Sequence, residues 1–203
     1  MFGMPRATRT LILINVGVFL LEQLDPRKML DLFALWPLHT PLFRPWQLIT
    51  YGFLHDPRNL AHIFFNMFAL FMFGRALEQY WGARRFVIYY LVCVVAAGLT
   101  QLAVQSAGGV QEETIGASGG IFGVLLAFAW YFPRQRLFVI PIPIPIPAWL
   151  FVTGYALIEL FFGVTGREQG VAHFAHLGGL LGGALCILYW RARGRFSSSA
   201  RPW

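Results

Sequence analysis

Strongly apolar runs recur at six places along this chain, and that repetition constrains the fold more than any single motif. They cover about residues 9–24, 60–80, 86–105, 117–132, 148–163 and 171–190. Backbone groups inside lipid must bond to one another, so such runs become helices, each needing roughly 20 apolar residues to span. Only 12% of the residues are charged, against about 25% in soluble domains. The sequence therefore predicts an all-α membrane protein, a six-transmembrane-helix bundle forming a single domain over residues 1–203. It contains no internal repeat and no second domain.

The connections are as informative as the spans. Residues 25–59, with "LFALWPLHTPLFRPWQLITYGFLHD", are too apolar for a solvated loop and too broken by proline to span. They read as an interfacial element, a first loop embedded in the membrane, with Trp46 as an anchor and His39 and His55 as loop residues. The "PIPIPIP" run at 141–147 reads as a stiff, extended connector. The fourth run is short and glycine-rich, which suits a helix shielded at the centre of the bundle. Cys93 and Cys186 both lie inside apolar spans, so neither a disulfide nor a redox role is expected. Arg6 and Arg9 precede the first run as in a signal peptide, but no small-residue cleavage site follows. An uncleaved first helix is the expectation.

Charge sets the orientation. The net charge is +7, yet the basic residues fall in loops and tails between apolar spans, which excludes a nucleic-acid surface. With both termini cytoplasmic, the inside holds Arg6, Arg9, Arg75, Arg84, Arg85, Arg134, Arg136, Arg191, Arg193, Arg195 and Arg201. The outside holds Arg27, Lys28, Arg44, Arg58 and Arg167. Eleven against five satisfies the positive-inside rule. Most acids, among them Asp25, Asp31, Asp56, Glu112, Glu113 and Glu168, fall outside. An integral protein of a prokaryotic inner membrane fits this pattern.

Polar residues inside a membrane are costly and face the bundle interior. Ser118 stands at the outer end of the fourth span, and His176 about a turn and a half into the sixth. His62 and Asn66, four apart on one face, lie near the outer end of the second. Three helices thus bring a serine, two histidines and an amide to one depth. Glycines would let the helices touch: Gly116, Gly119, Gly120 and Gly123 on the fourth span, and Gly179 and Gly183 in a stripe with His176 on the sixth. A helix N-terminus beneath Ser118 would favour developing negative charge.

"GASG" with Ser118, "HIFFN" with His62 and Asn66, and "AHLGGLLGG" with His176 resemble the motifs of rhomboid intramembrane serine proteases. The three in that order cover nearly the whole chain; the tetrapeptide alone is weak. Pro45–Trp46 is similar to the family's first-loop motif, with Gln47 where an arginine is expected, and Phe122 stands where a tyrosine is frequent. The resemblance implies a rhomboid-like bundle with Ser118 as nucleophile, His176 as general base, and Asn66, His62 and the Ser118 N–H as oxyanion donors. It implies transmembrane protein substrates taken from the bilayer, and neither cofactor nor metal. No acid is evident to orient His176, so a dyad is expected; Glu159, deeper on the fifth span, is left without a partner, and His173 is assigned to the exposed outer end.

Other classes fit less well. There is no His-Glu pair for a zinc protease, and Asp25, Asp31 and Asp56 all precede the second span, which excludes an aspartyl dyad. A transporter would need polar groups across the full membrane. A non-catalytic relative that binds transmembrane clients is the alternative, and it usually lacks the serine or the histidine that this chain carries.

Overall fold

A run of leucine, phenylalanine and alanine has no face to offer to water, and here such runs coil so that N–H groups beyond the first turn are satisfied within their own segment. The computed structural model describes residues 3–108, 112–139, 142–166 and 171–194 and is mostly helical. Arg167, Glu168, Arg195, Arg201 and Pro141 lie outside the described residues. The helices are α1 (Arg6–Glu22), α2 (Pro26–Phe33), α3 (Gln47–Thr50), α4 (Leu60–Ala69), α5 (Arg75–Trp81), α6 (Ala83–Gly108), α7 (Ser118–Tyr131), α8 (Ala148–Thr165) and α9 (His173–Ala192). One π turn, Leu70–Gly74, joins α4 and α5 into a continuous rod.

Helices stand at all six expected places, and among the described residues four of them are long and apolar enough to cross a membrane. These are Leu60–Trp81, Ala83–Gly108, Ala148–Thr165 and His173–Ala192. α7 has 14 residues, about 21 Å at 1.5 Å per residue, short of the ~30 Å hydrocarbon core. The reason is local: the glycine and alanine ahead of Ser118 form a turn instead of a first helical turn. α1, with 17 residues, falls just short by length.

α6, α7 and α9 form the centre, with α7 buried along most of its length. α1 packs on α6 and α4, and α8 covers α9 and α7. Polarity is inverted relative to a soluble protein. Phe64, Phe65, Leu157, Leu181 and Leu185 face outward while Asn15, Gln47, Asn66, Glu78 and Glu159 are buried, as expected where lipid is the solvent.

Two buried polar side chains hold elements together. Glu78 accepts from Ala7 N at 2.8 Å, Thr8 N at 2.6 Å and Thr8 Oγ1 at 2.7 Å, so its carboxylate caps the free N–H groups at the start of α1. Glu78→Ala should cost about 2–3 kcal/mol, because buried donors lose a charged acceptor. Thermal unfolding in detergent checks this, and an unchanged midpoint would remove the cap from the account. In the first loop, Gln47 is fully buried. Its Oε1 accepts from Arg44 N at 3.0 Å and its Nε2 donates to the Leu42 carbonyl at 3.0 Å. The amide at the position where an arginine was expected therefore both gives and receives, tying the loop from within.

The proline run is not a free connector. Ile142–Pro147 is strand β2, paired antiparallel with β1 (Arg136–Val139). Prolines at every second position put their missing donors on one edge and leave the isoleucine N–H groups for the partner strand.

Candidate active site

Ser118 is the first residue of α7, and what precedes it fixes where its hydroxyl points. Thr114 and Leu35 exchange two backbone bonds of 3.0 Å, and Gly116 N donates to the Tyr51 carbonyl at 3.0 Å, so the first loop clamps the approach to the helix. Gly116 turns the chain with φ +123°, a conformation that costs an L side chain dearly. A Cβ there would also lie 3.0 Å from His62 Nε2 and 3.6 Å from Ser118 Oγ. Gly116 thus forms the turn ahead of α7 and leaves room for His62 of α4.

His176 sits in the first turn of α9. Its Nε2 lies 2.7 Å from Ser118 Oγ, and its ring stacks on Phe122 with centroids 4.3 Å apart and planes 8° from parallel. Its Nδ1 lies 2.9 Å from Glu159 Oε2. The same carboxylate oxygen is 2.7 Å from His173 Nδ1. Both histidines and Glu159 are buried. Two expectations are corrected by this cluster. Glu159 has two partners, because α8 rotates it toward α9. His173, one helical turn before His176, shares its buried face and is not exposed.

The helices beneath the pair meet at glycines that leave no room for a side chain. A side chain on Gly179 would run into the Gly119 carbonyl, one on Gly183 into the Tyr89 hydroxyl, and one on Gly119 would stop 2.5 Å from Ala97 Cβ. Gly179 therefore meets α7, while Gly119 faces both α9 and α6.

His62 and Asn66 approach from α4, whose N-terminus Asn59 caps by accepting from His62 N at 3.2 Å. Asn66 Nδ2 donates to the His62 carbonyl at 2.8 Å, which occupies one of its two hydrogens. His55, expected at the interface, is instead fully buried with its ring edge-on to His62, centroids 5.0 Å apart. Burial, and then the neighbouring His62, lower its pKa to about 3, so it stays uncharged. His39 is exposed. Trp46 is half-exposed, and its Nε1 donates to the Leu32 carbonyl at 2.9 Å.

Ser118, His176, His62 and Asn66 open onto a groove of about 1890 Å³ between α4 and α8. Phe65 and Tyr155 are among its apolar walls. Sequence reasoning missed the Glu159–His173 contact, which no spacing within one helix encodes.

A model of the Rhomboid domain matches residues 42–193. The chain is 30% identical over 190 residues to "Presenilin-associated rhomboid-like protein, mitochondrial" of Rattus norvegicus, covering 91% of this chain and 48% of that one. It is 33% identical over 139 residues to "Rhomboid protease GluP" of Bacillus subtilis, covering 68% and 24%. It is 25% identical over 201 residues to "Rhomboid protease GlpG" of Photorhabdus laumondii, covering 96% and 64%. The chain thus spans about half the length of the first of these relatives and less than two thirds of each.

Proposed function

The chain belongs to the rhomboid family of membrane proteins, and on that footing we propose that it is an intramembrane serine endopeptidase cleaving transmembrane segments of other membrane proteins. The observation that carries the reading is the 2.7 Å approach of His176 Nε2 to Ser118 Oγ in the lining of a largely apolar groove. Two of the relatives are named proteases, which supports it.

A serine hydroxyl is a weak nucleophile until a base takes its proton. In this reading Ser118 Oγ bonds to the scissile carbonyl carbon while its proton passes to His176 Nε2. The carbonyl oxygen takes the negative charge, facing the Ser118 N–H, His62 and the second hydrogen of Asn66. As the C–N bond breaks, His176 returns the proton to the leaving amine. Water then repeats the sequence on the acyl-enzyme, and neither cofactor nor metal takes part. The substrate enters sideways between α4 and α8 and is locally unwound, since helical amides are closed in their own hydrogen bonds. The excess of arginines at the other end of the bundle supports the outer face for this chemistry, with cytoplasmic termini. Relatives from mitochondria and bacteria alike make this a statement about the face rather than the organism.

Asn66→Ala should lower turnover about 10²- to 10³-fold without abolishing it, because one oxyanion donor is lost while others remain. Initial rates on a transmembrane substrate measure this, and an unchanged rate would take Asn66 out of the site. The reading as a whole is tested with a fluorophosphonate probe on the purified protein in mild detergent. Labelling of the wild type together with substrate cleavage sustains it. A folded protein that neither labels nor cleaves moves the assignment to the client-binding class.

A further inference from the structure

We propose that Glu159 is the positioning acid of His176, holding the imidazole in the tautomer and rotation that leave Nε2 free to take the Ser118 proton, with His173 holding the carboxylate in turn. The inference rests on the protease reading and adds to the serine and histidine a third, orienting group drawn from α8. One carboxylate oxygen, Glu159 Oε2, stands 2.9 Å from His176 Nδ1 and 2.7 Å from His173 Nδ1. Both contacts are satisfied when each Nδ1 carries the proton and donates it. That leaves His176 Nε2 as a bare lone pair, and Ser118 Oγ lies 2.7 Å away to donate to it. The opposite tautomer would put a proton on Nε2 and remove the base.

Two other uses of this cluster fit worse. Around a metal bound at about 2.1 Å in a tetrahedral site, ligand atoms sit about 3.4 Å apart, wider than either contact here. A purely stabilising ion pair is a poor reason for three buried polar groups, since desolvation offsets most of the attraction. His173 Nε2 is buried without a hydrogen-bond partner among the described residues. A neutral His173 with its proton on Nδ1 accounts for that, because it leaves an acceptor unpaired in place of a donor, the less costly atom to bury. When His176 takes the serine proton, its imidazolium forms beside a carboxylate already in place, with the ring held by Phe122 at 4.3 Å.

The test measures kcat and KM on a transmembrane substrate for wild type, Glu159→Gln and Glu159→Asp. Rates are taken per folded molecule from the monodisperse fraction, beside a thermal melt. Positioning predicts that Glu159→Gln lowers kcat by about 100-fold or more, as loss of the orienting acid does in soluble triads. KM stays within about threefold, and Glu159→Asp falls between Gln and wild type. A Glu159→Gln protein with kcat within about threefold of wild type overturns the inference, as does a loss appearing only in KM. If the amide variant does not fold, the aspartate variant decides: full kcat overturns positioning, and reduced kcat at constant KM sustains it. A wild type that neither labels nor cleaves overturns the protease reading and this inference with it. A cleaving wild type beside a fully active Glu159→Gln overturns this inference alone.

Discussion

If the protease reading holds, Ser118→Ala and His176→Ala should each reduce cleavage of a transmembrane substrate by about 10⁴- to 10⁶-fold, with the double variant no slower than either single one. The size follows from what each change removes. Without Oγ no acyl-enzyme forms, and without the imidazole the hydroxyl keeps its proton; in soluble serine proteases such losses are of this order and do not add. Non-additivity is the sharper expectation, because it separates a nucleophile and base acting as a unit from two residues contributing independently. Ser118→Ala removes one hydrogen bond from a half-buried side chain, worth about 1 kcal/mol, so the thermal midpoint should scarcely move. His176→Ala also empties the space against Phe122 and frees Glu159 from one of its two contacts, so some stability is lost there. Initial rates and melts on the same preparations measure both. Retained cleavage in either single variant removes that residue from the chemistry, and a double variant much slower than the singles breaks the unit.

The parts of this molecule legible in the sequence are those that one helix carries by itself. Apolar runs of sufficient length mark where helices form, and spacing within a run fixes which residues share a face, as with His176, Gly179 and Gly183. What that reasoning lacked was the rotation of one helix against another. Glu159 lies 17 positions before His176 on a separate helix, and no periodicity links the two. His173 was misplaced for the same reason: its distance from the helix end is readable, while the face it turns to α8 is not.

Backbone sign was equally hidden. Gly116 sits in a row with three more glycines, and nothing in the row tells which residue takes φ +123° and which makes a helix contact. The proline run is the opposite case, since its signal was present and underused. Prolines spaced by two leave every donor on one strand edge, which is a pattern for pairing as well as for stiffness. Gln47 was legible only as a departure from the family pattern. Its burial among Arg44 and Leu42 shows an amide doing locally what a longer cation would have to do across the loop.

The most severe packing prediction concerns one added methyl group. Gly179→Ala places Cβ against the Gly119 carbonyl, and a Cβ added to Gly183, one turn further along, would lie 3.3 Å from Gly123 Cα. The obstacle is backbone on a buried helix, so no rotamer change relieves it, and α7 and α9 must separate. Overpacking of this kind costs about 1–3 kcal/mol. Activity should suffer more than stability. Ser118 immediately precedes Gly119, and His176 lies three residues before Gly179, so the displacement passes straight into the 2.7 Å contact between them. An opening of about 1 Å carries it beyond hydrogen-bond range, and misplacement on that scale costs about 100-fold in rate. Gly154→Ala on α8 is the control, since a Cβ there meets nothing within 4 Å and alanine favours the helix. Melts and initial rates should show Gly154→Ala at or above wild type, with Gly179→Ala lower in both. A Gly179→Ala protein that melts and cleaves like wild type would mean that the helices can part at this point without disturbing the site, and that the close backbone contact is not what holds Ser118 to His176.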